Sequence, residues 1–239
     1  MVGMPGQKER GERFLRSLVD TTKGGGVQRL IIVADEWEPL YYGDTWMDVR
    51  LDSINPNFAW GILHFLGRQG SARAHNIGLA HASKEGSRYL GILEDGIILT
   101  PGWLEFLTDA LEEDPRRGWV GALQRPNTRS RFMCCCSVMT REFYEAMVKD
   151  THLGMQFFDE KNFRTGPFDD SYAVWRAREL GFRPSGVSAC VVEHPVGETT
   201  MKGLFDSVAH HRNFQEKRAA FERLTGLPDF DWDSMPVVE

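Results

Sequence analysis

The sequence lacks several features that would place the protein in a class at once. No stretch approaches the roughly 18 consecutive apolar residues of a membrane-spanning helix, and the initial stretch MVGMPGQKERGERF has no apolar segment like that of a signal peptide. Basic residues are not in excess, since 28 Lys and Arg stand against 34 Asp and Glu and give a net charge of −6. That charge argues against a nucleic-acid backbone as the main partner. We therefore expect a cytoplasmic protein with no stable membrane insertion.

Cysteine is also scarce. Three of the four cysteines are adjacent, at Cys134, Cys135 and Cys136, and Cys190 lies far from them. Adjacent residues of a strand point to opposite faces, so this spacing fits neither a CxxC zinc site nor a disulfide framework. The pattern predicts small apolar strand residues, with a redox or metal role as the alternative. At 239 residues and 41% hydrophobic residues, the chain can bury a core without disulfides.

Strand-length apolar runs alternate with helical patterns along the chain. We predict strands at 29–34, 62–66, 89–93, 119–123, 131–139 and 187–192, and a very short one at 2–5. We predict helices at 8–20, 72–83, from Thr100-Pro101 onwards, 140–147, 169–180 and 205–224. This alternation predicts a single α/β domain, with a mostly parallel sheet and helices on both faces. We expect the main domain to span 1–204, with a C-terminal helix and acidic tail at 205–239 packed on it.

Acidic residues or histidine follow three of the predicted strands. These pairs are Asp35-Glu36, Glu94-Asp95 and Glu193-His194. Ligands of parallel α/β sheets bind beyond the carboxyl ends of the strands, so the three pairs should converge on one edge. The alternative is that acids at strand ends only form turns.

Two stretches carry a family resemblance. GSARAHNIGLAHASKEGSRYLGILEDGIILTPGWL, at 70–104, and FDDSYAVWRARELGFRP, at 168–184, resemble the inverting glycosyltransferases of family 2, which have the GT-A (Rossmann-like) fold. The resemblance extends from about residue 2 to about residue 200. It implies transfer of a sugar from a nucleoside-diphosphate sugar to an acceptor hydroxyl. The acceptor stays open among glycans, proteins, small molecules and modified nucleobases.

The resemblance also implies a donor site. Asp35 matches the acid that contacts the base or ribose, and Arg73 matches a basic position near the diphosphate. Glu94 and Asp95 match the acidic metal motif, whose divalent cation, Mn²⁺ or Mg²⁺, neutralises the diphosphate. His194 is a second candidate ligand beside Asp95. The chain departs from the motif at Gly96, where the family usually has another acid.

Asp170 matches the catalytic base of the family, with Asp169 as the supporting acid. An inverting transfer needs a carboxylate on the acceptor side to take the proton of the attacking hydroxyl. The alternative is that either Asp only caps the following helix. We expect Asn76 to support a neighbouring loop, and the aromatic segment 150–168 to be a candidate acceptor loop.

Two other functions are open at this point. Gly96 favours a catalytically silent scaffold that binds a nucleotide-sugar. A nucleotidyltransferase would need a glycine- and lysine-rich phosphate loop, which GMPGQKER matches poorly.

Overall fold

A computed structural model gives the fold of most of the chain. It describes residues 7–22, 26–27, 29–34, 59–64, 70–94, 96–125, 132–150, 153–164, 168–193, 208–231 and 234–238. The short strand expected at 2–5 lies outside the described residues. So do three of the expected site residues, Asp35, Asp95 and His194.

Seven helices and seven strands make up the described part of the chain. The helices are α1 Gln7–Thr22, α2 Ser71–Ser83, α3 Trp103–Glu113, α4 Arg141–Lys149, α5 Glu160–Phe163, α6 Asp169–Glu179 and α7 Val208–Thr225. The strands are β1 Arg29–Ala34, β2 Ala59–His64, β3 Tyr89–Leu93, β4 Trp119–Arg125, β5 Met133–Thr140, β6 Ser185–Glu193 and β7 Val237–Val238. Within the described ranges, no helix is both long enough and apolar enough to cross a membrane.

The main sheet has the order β3-β5-β4-β6-β7, and β1 and β2 pair separately in parallel. Four of the five strands of the main sheet run in the same direction, and β5 runs opposite to both of its neighbours. The sheet is therefore mixed, and the predicted α/β class is confirmed. The reversal at β5 follows from a short connection: only 126–132 separate β4 from β5, whereas parallel neighbours need a crossover of a dozen or more residues.

Apolar side chains are buried on both faces of this sheet. On one face Leu15 of α1 and Leu107 of α3 belong to the same cluster as Val120 of β4. On the other face Phe143 of α4 and Ala177 of α6 belong to the cluster that includes β3 and β4 side chains. Helices thus cover both faces, as predicted.

Several element boundaries differ from the sequence predictions by a few residues, including those of the helix after Thr100 and of β2. Helix α3 begins at Trp103 rather than at Thr100, because Gly102 adopts a left-handed conformation with φ of 80° and ends the preceding loop. The Thr100 hydroxyl donates to the carbonyl of Val191, 2.8 Å away, so it binds β6 instead of capping the helix. The strand expected at 62–66 lies at 59–64.

The C-terminal segment packs on the main sheet and its helices. The ring of Phe221 in α7 lies 5.5 Å from the ring of Phe168, next to the start of α6. Farther along, Val237 and Val238 form β7 and pair in parallel with β6. The acidic tail thus adds an edge strand to the sheet. The division of the chain at residue 204 stays a prediction.

Candidate functional site

The carboxyl ends of β3 and β6 meet at one edge of the main sheet. Glu94 directly follows β3, and its carbonyl accepts from the amide of Ile97, 3.4 Å away. The next residue, Ile98, exchanges two backbone hydrogen bonds with Glu193 at the end of β6, at 2.8 and 3.2 Å. The loop after Glu94 is therefore attached to β6.

Asp169 and Asp170 form the first turn of α6. The residue before them, Phe168, is the N-cap; it has a positive φ of 79° and makes no side-chain capping bond. The Asp169 carboxylate accepts from the Ser71 hydroxyl and from the Asp170 amide, both at 3.0 Å. The Asp170 carboxylate accepts from the Ser171 amide at 2.7 Å. Neither Asp occupies the N-cap position, although both carboxylates accept from amides in the first turn of α6.

Burial, together with the charge of neighbouring carboxylates, raises the pKa of both of these carboxyls. Burial, and then the charge of Asp170, raise the pKa of Asp169 to about 8. The pKa of Asp170 is also raised, by burial first and by the charge of Glu94. The charge of Glu94, which directly follows β3, contributes to the raised pKa of both groups. Three carboxyls in one region favour a bound proton or cation there.

Helix α2 connects these two acidic elements through one of its faces. Ser71 binds Asp169, and His75, one turn later, has its Nε2 3.8 Å from the Glu94 carboxylate. Sequence reasoning missed His75, although its i, i+4 spacing from Ser71 places both on one helix face. Arg73 is exposed, and at 100° per residue it points about 160° away from His75. The proposed contact of Arg73 with the diphosphate stays a prediction.

Asn76 makes four hydrogen bonds within the protein, three of them buried. Its amide nitrogen donates to the Phe158 carbonyl at 2.8 Å and to the Glu160 carboxylate at 2.9 Å. Its oxygen accepts from the amides of Phe157 and Phe158 at 3.1 and 2.8 Å. The prediction that Asn76 supports a neighbouring loop is confirmed.

The aromatic residues of segment 150–168 do not form a sugar-binding surface. Phe157, Phe158 and Phe163 are each at most 1% exposed. The rings of Phe157 and Phe158 lie 5.4 and 6.4 Å from the ring of Trp119, in the core between the sheet and its helices. For these residues the prediction of an acceptor loop is wrong, because aromatic composition does not distinguish a binding surface from a core.

A buried arginine links this segment to α6. Arg176, six residues after Asp170, is 2% exposed, and its guanidinium binds the Asp150 carboxylate at 3.0 and 3.1 Å. It also donates to the carbonyls of Met147 at 2.8 Å and Phe157 at 2.9 Å. Arg176 therefore positions the elements around the site and does not face it.

The cysteines are free, and Cys135, Cys136 and Cys190 are buried. Cys134 lies at the start of β5, and burial, followed by the charge of Asp170, raises its pKa well above the usual value. Protonated thiols are poor nucleophiles and poor metal ligands. Among the residues that the structure describes, no group of three or more His, Cys, Asp or Glu side chains could hold a metal ion. These observations favour the packing interpretation of the cysteines.

A cleft of about 730 Å³ opens beside Ser71, His75 and Glu94, between β1, α2, β3 and α3. Ser71, His75 and Glu94 line one part of it, and aliphatic side chains such as Leu30 and Leu104 line much of the rest. Its volume is within the range of small-molecule sites.

Two solved structures are similar to this chain over most of its length. A mannosyltransferase from Pyrobaculum calidifontis, PcManGT, solved with GDP-Man and Mn²⁺, matches with a TM-score of 0.61 and 16% identity. The match covers 89% of this chain and 61% of that one. This chain has the GT-A fold.

The second structure, GalNAc-T7 with UDP, GalNAc and Mn²⁺, matches this GT-A chain with a TM-score of 0.55 and 12% identity. That match covers 92% of this chain and 52% of the other. The chain thus spans only about half to three fifths of the length of the two solved chains. No protein-family model and no curated protein matches the sequence.

Proposed function

We propose that this GT-A chain is an inverting glycosyltransferase that moves a sugar from a nucleoside-diphosphate sugar to an acceptor hydroxyl. The observation that carries the proposal is that one face of α2 contacts both acidic elements, Ser71 binding Asp169 and His75 lying beside Glu94 at the carboxyl end of β3. Ligands of open α/β sheets bind at the carboxyl ends of the strands. The fold likeness to two structures containing sugar nucleotides or their products, each with Mn²⁺, supports the same reaction class.

Asp170 is the proposed catalytic base. The acceptor oxygen forms a bond to the anomeric carbon while the bond from that carbon to the diphosphate oxygen breaks, and the hydroxyl proton passes to the Asp170 carboxylate. A raised pKa suits this role, because a base works best when its pKa lies near the working pH. Asp169, bound to Ser71, is the proposed supporting acid that shares the charge of the pair.

The proposed donor site consists of Asp35, Arg73, Glu94 and Asp95, to which the position of His75 beside Glu94 adds a basic group. The proposed cofactor is Mn²⁺ or Mg²⁺, with Asp95 and His194 as ligands. A carboxylate such as that of Glu94, at a strand end between other acids, also suits a hard cation. When bound, the cation would neutralise charge on the departing diphosphate. We propose a cytoplasmic location for the reaction.

The test compares Asp170→Asn with Asp229→Asn, a control at an exposed residue that follows α7. We would measure thermal shifts with UDP, GDP, dTDP, CDP and ADP, each with Mn²⁺ and with EDTA. Donor turnover would then be measured with the nucleotide that binds. We expect a shift of roughly 2–4 °C or more at saturating ligand in all three proteins. Turnover should fall by at least about 100-fold in Asp170→Asn alone.

The outcomes separate the proposed functions. Equal turnover in Asp170→Asn and the control would remove Asp170 from the role of base. If the proteins bind the donor but none of them turns it over, the result would favour the catalytically silent scaffold. Gly96 suggests that alternative because it stands where the family usually has an acid. Binding that EDTA does not weaken would count against the cation.

A further inference from the structure

Phe168 has a backbone conformation that is unusual for its residue type. In the described part of the chain it is one of two non-glycine residues with a positive φ, at 79°. The other, Met155, is 80% exposed, whereas Phe168 is buried. A left-handed conformation crowds the Cβ of an L-residue against the backbone, so glycine adopts it far more readily. The surrounding structure therefore has to hold Phe168 in this conformation.

The start of helix α3 offers a comparison within the same molecule. Its N-cap, Gly102, has φ of 80° and ψ of 3°, and Phe168, the N-cap of α6, has φ of 79° and ψ of −2°. Neither N-cap makes a side-chain capping bond. The same backbone start is thus formed by glycine in α3 and by phenylalanine in α6. What distinguishes the start of α6 is the ring of Phe168 and its contacts.

Two rings of the C-terminal helix α7 contact the ring of Phe168. The ring centroids of Phe214 and Phe221 lie 5.3 and 5.5 Å from it. Positions seven residues apart lie on one face of a helix, so both rings belong to the same face of α7. From that face the Lys217 ammonium also donates to the Asn162 carbonyl of α5, at 2.6 Å. Helix α7 therefore contacts both α5 and the residue at which α6 starts.

The conformation of Phe168 determines the first turn of α6. Its carbonyl accepts from the Tyr172 amide at 3.0 Å, and this bond closes the turn that contains Asp169 and Asp170. Within the turn the Asp169 carboxylate accepts from the Asp170 amide, and from outside it accepts from the Ser71 hydroxyl, both at 3.0 Å. If residue 168 left the left-handed region, its carbonyl would turn away from the Tyr172 amide. The turn that holds both carboxyls would then open.

We propose that Phe168 is a positioning residue for the acid pair, and that α7 acts on the site through it. The inference rests on the proposed function, in which Asp170 is the base. The rings of Phe214 and Phe221 keep residue 168 left-handed, and that conformation keeps Asp169 and Asp170 in a closed turn. Helix α7 thereby contributes to turnover without touching the reacting atoms. Backbone strain of this kind is found where the surrounding structure enforces it, often at functional sites.

The test compares Phe168→Gly with Phe168→Ala. Both variants remove the ring, but only glycine adopts a positive φ without strain. If the ring only filled the core, the glycine variant would be at least as impaired as the alanine variant, because glycine also loses more backbone entropy on folding. The positioning role predicts the opposite order.

Two measurements follow the comparison. Amide hydrogen exchange by NMR at Asp170 and Tyr172 reports opening of the first turn of α6. Release of UDP from UDP-glucose and of GDP from GDP-mannose, each with Mn²⁺, gives kcat and KM. We expect exchange at both amides to be about tenfold faster in Phe168→Ala than in Phe168→Gly. The kcat should be about tenfold lower in Phe168→Ala, with KM equal within about twofold.

A second variant tests the contribution of α7 and remains informative if Phe168→Ala fails to fold. Phe214→Ala changes a half-buried residue. It should speed exchange at the Tyr172 amide about tenfold in the unmodified protein, because Phe168 then loses a ring that holds it. In Phe168→Gly the same change should have less than about a twofold effect, since glycine needs no support from α7. The matched control, Gly102→Ala, introduces the same strain at the start of α3 and should leave the Tyr172 amide unchanged.

The outcomes separate this inference from the proposed function. Exchange at Tyr172 that is equal in Phe168→Gly and Phe168→Ala, or faster in Phe168→Gly, would overturn the inference. Equal kcat in these two variants would overturn it as well. An equal effect of Phe214→Ala in both backgrounds would show that α7 does not act through residue 168. If the unmodified protein released neither UDP nor GDP, that result would count against the proposed function, and exchange at Tyr172 would still decide the inference.

Discussion

Replacing Asp169 by Asn should make the protein more stable at alkaline pH. Asp169 has a pKa raised to about 8 in the folded protein, from an ordinary 3.8. The folded state therefore binds this proton more tightly than the unfolded state does. Its contribution to stability is complete below about pH 4 and is lost as the pH rises through about 8. Asn stays neutral throughout and avoids that loss.

The size of the effect follows from the pKa and from the geometry of the pair. At about 1.4 kcal/mol per pH unit, a rise from 3.8 to about 8 corresponds to roughly 6 kcal/mol. Because Asp169 and Asp170 titrate together, we assign about a third of this to Asp169 alone. Asn can keep both hydrogen bonds, accepting from the Asp170 amide and donating to the Ser71 hydroxyl. We therefore expect a gain of about 2 kcal/mol at pH 8.5.

The assay is thermal unfolding of Asp169→Asn, the unmodified protein and the control Asp229→Asn between pH 5 and pH 9. For a chain of this size, about 2 kcal/mol corresponds to a Tm increase of roughly 4–8 °C at pH 8.5. At pH 5 the difference should be smaller, because the loss grows with the ionisation of the unfolded carboxyl from about pH 4 and is complete only near pH 8. Parallel pH profiles for the three proteins would refute the reasoning, since they would show that Asp169 has an ordinary pKa.

Three further variants test other parts of the fold and site. Asn76→Ala leaves buried backbone groups without partners and should lower stability by about 2–4 kcal/mol; a Tm within about 2 °C of the original would contradict this. Gly118→Ala should lower the free energy of unfolding by at least about 1 kcal/mol, because φ is +62° and the new Cβ would lie 2.7 Å from two phenylalanine rings. Urea unfolding measures this change, and an unchanged midpoint would contradict it. His75→Ala should weaken nucleoside-diphosphate binding about tenfold, as measured by calorimetry, because it removes the basic group beside Glu94; an unchanged affinity would remove His75 from the donor site.

The sequence predicted those elements whose pattern depends on local rules. β1 and β3 have the predicted bounds, because short continuous apolar runs between polar turns are typical of buried parallel strands. Thr140 caps α4 as expected, accepting from the Phe143 amide at 3.1 Å. At Thr100 the same local rule failed, because a tertiary hydrogen bond to β6 used the hydroxyl.

The site was predictable only in part, because its assembly depends on the sheet. The convergence of Glu94 and Glu193 on one edge followed from strand direction, and the structure brings their segments together. The contact of Asp169 with Ser71 joins residues 98 positions apart, which no local pattern signals. The sequence did not single out His75, because only the hydrogen bond between Ser71 and Asp169 shows which face of α2 points to the site.

The contacts of Arg176 have a consequence for engineering the protein. One guanidinium binds both the Asp150 carboxylate and the Phe157 carbonyl, so the two ends of segment 150–157 are anchored at a single point. The entropy of closing a loop grows only slowly with its length once its ends are fixed, by about 0.6 kcal/mol per doubling. Residues inserted after Asp150 should therefore lengthen the loop at little cost to stability. This segment is a natural place to graft a new recognition loop onto the scaffold.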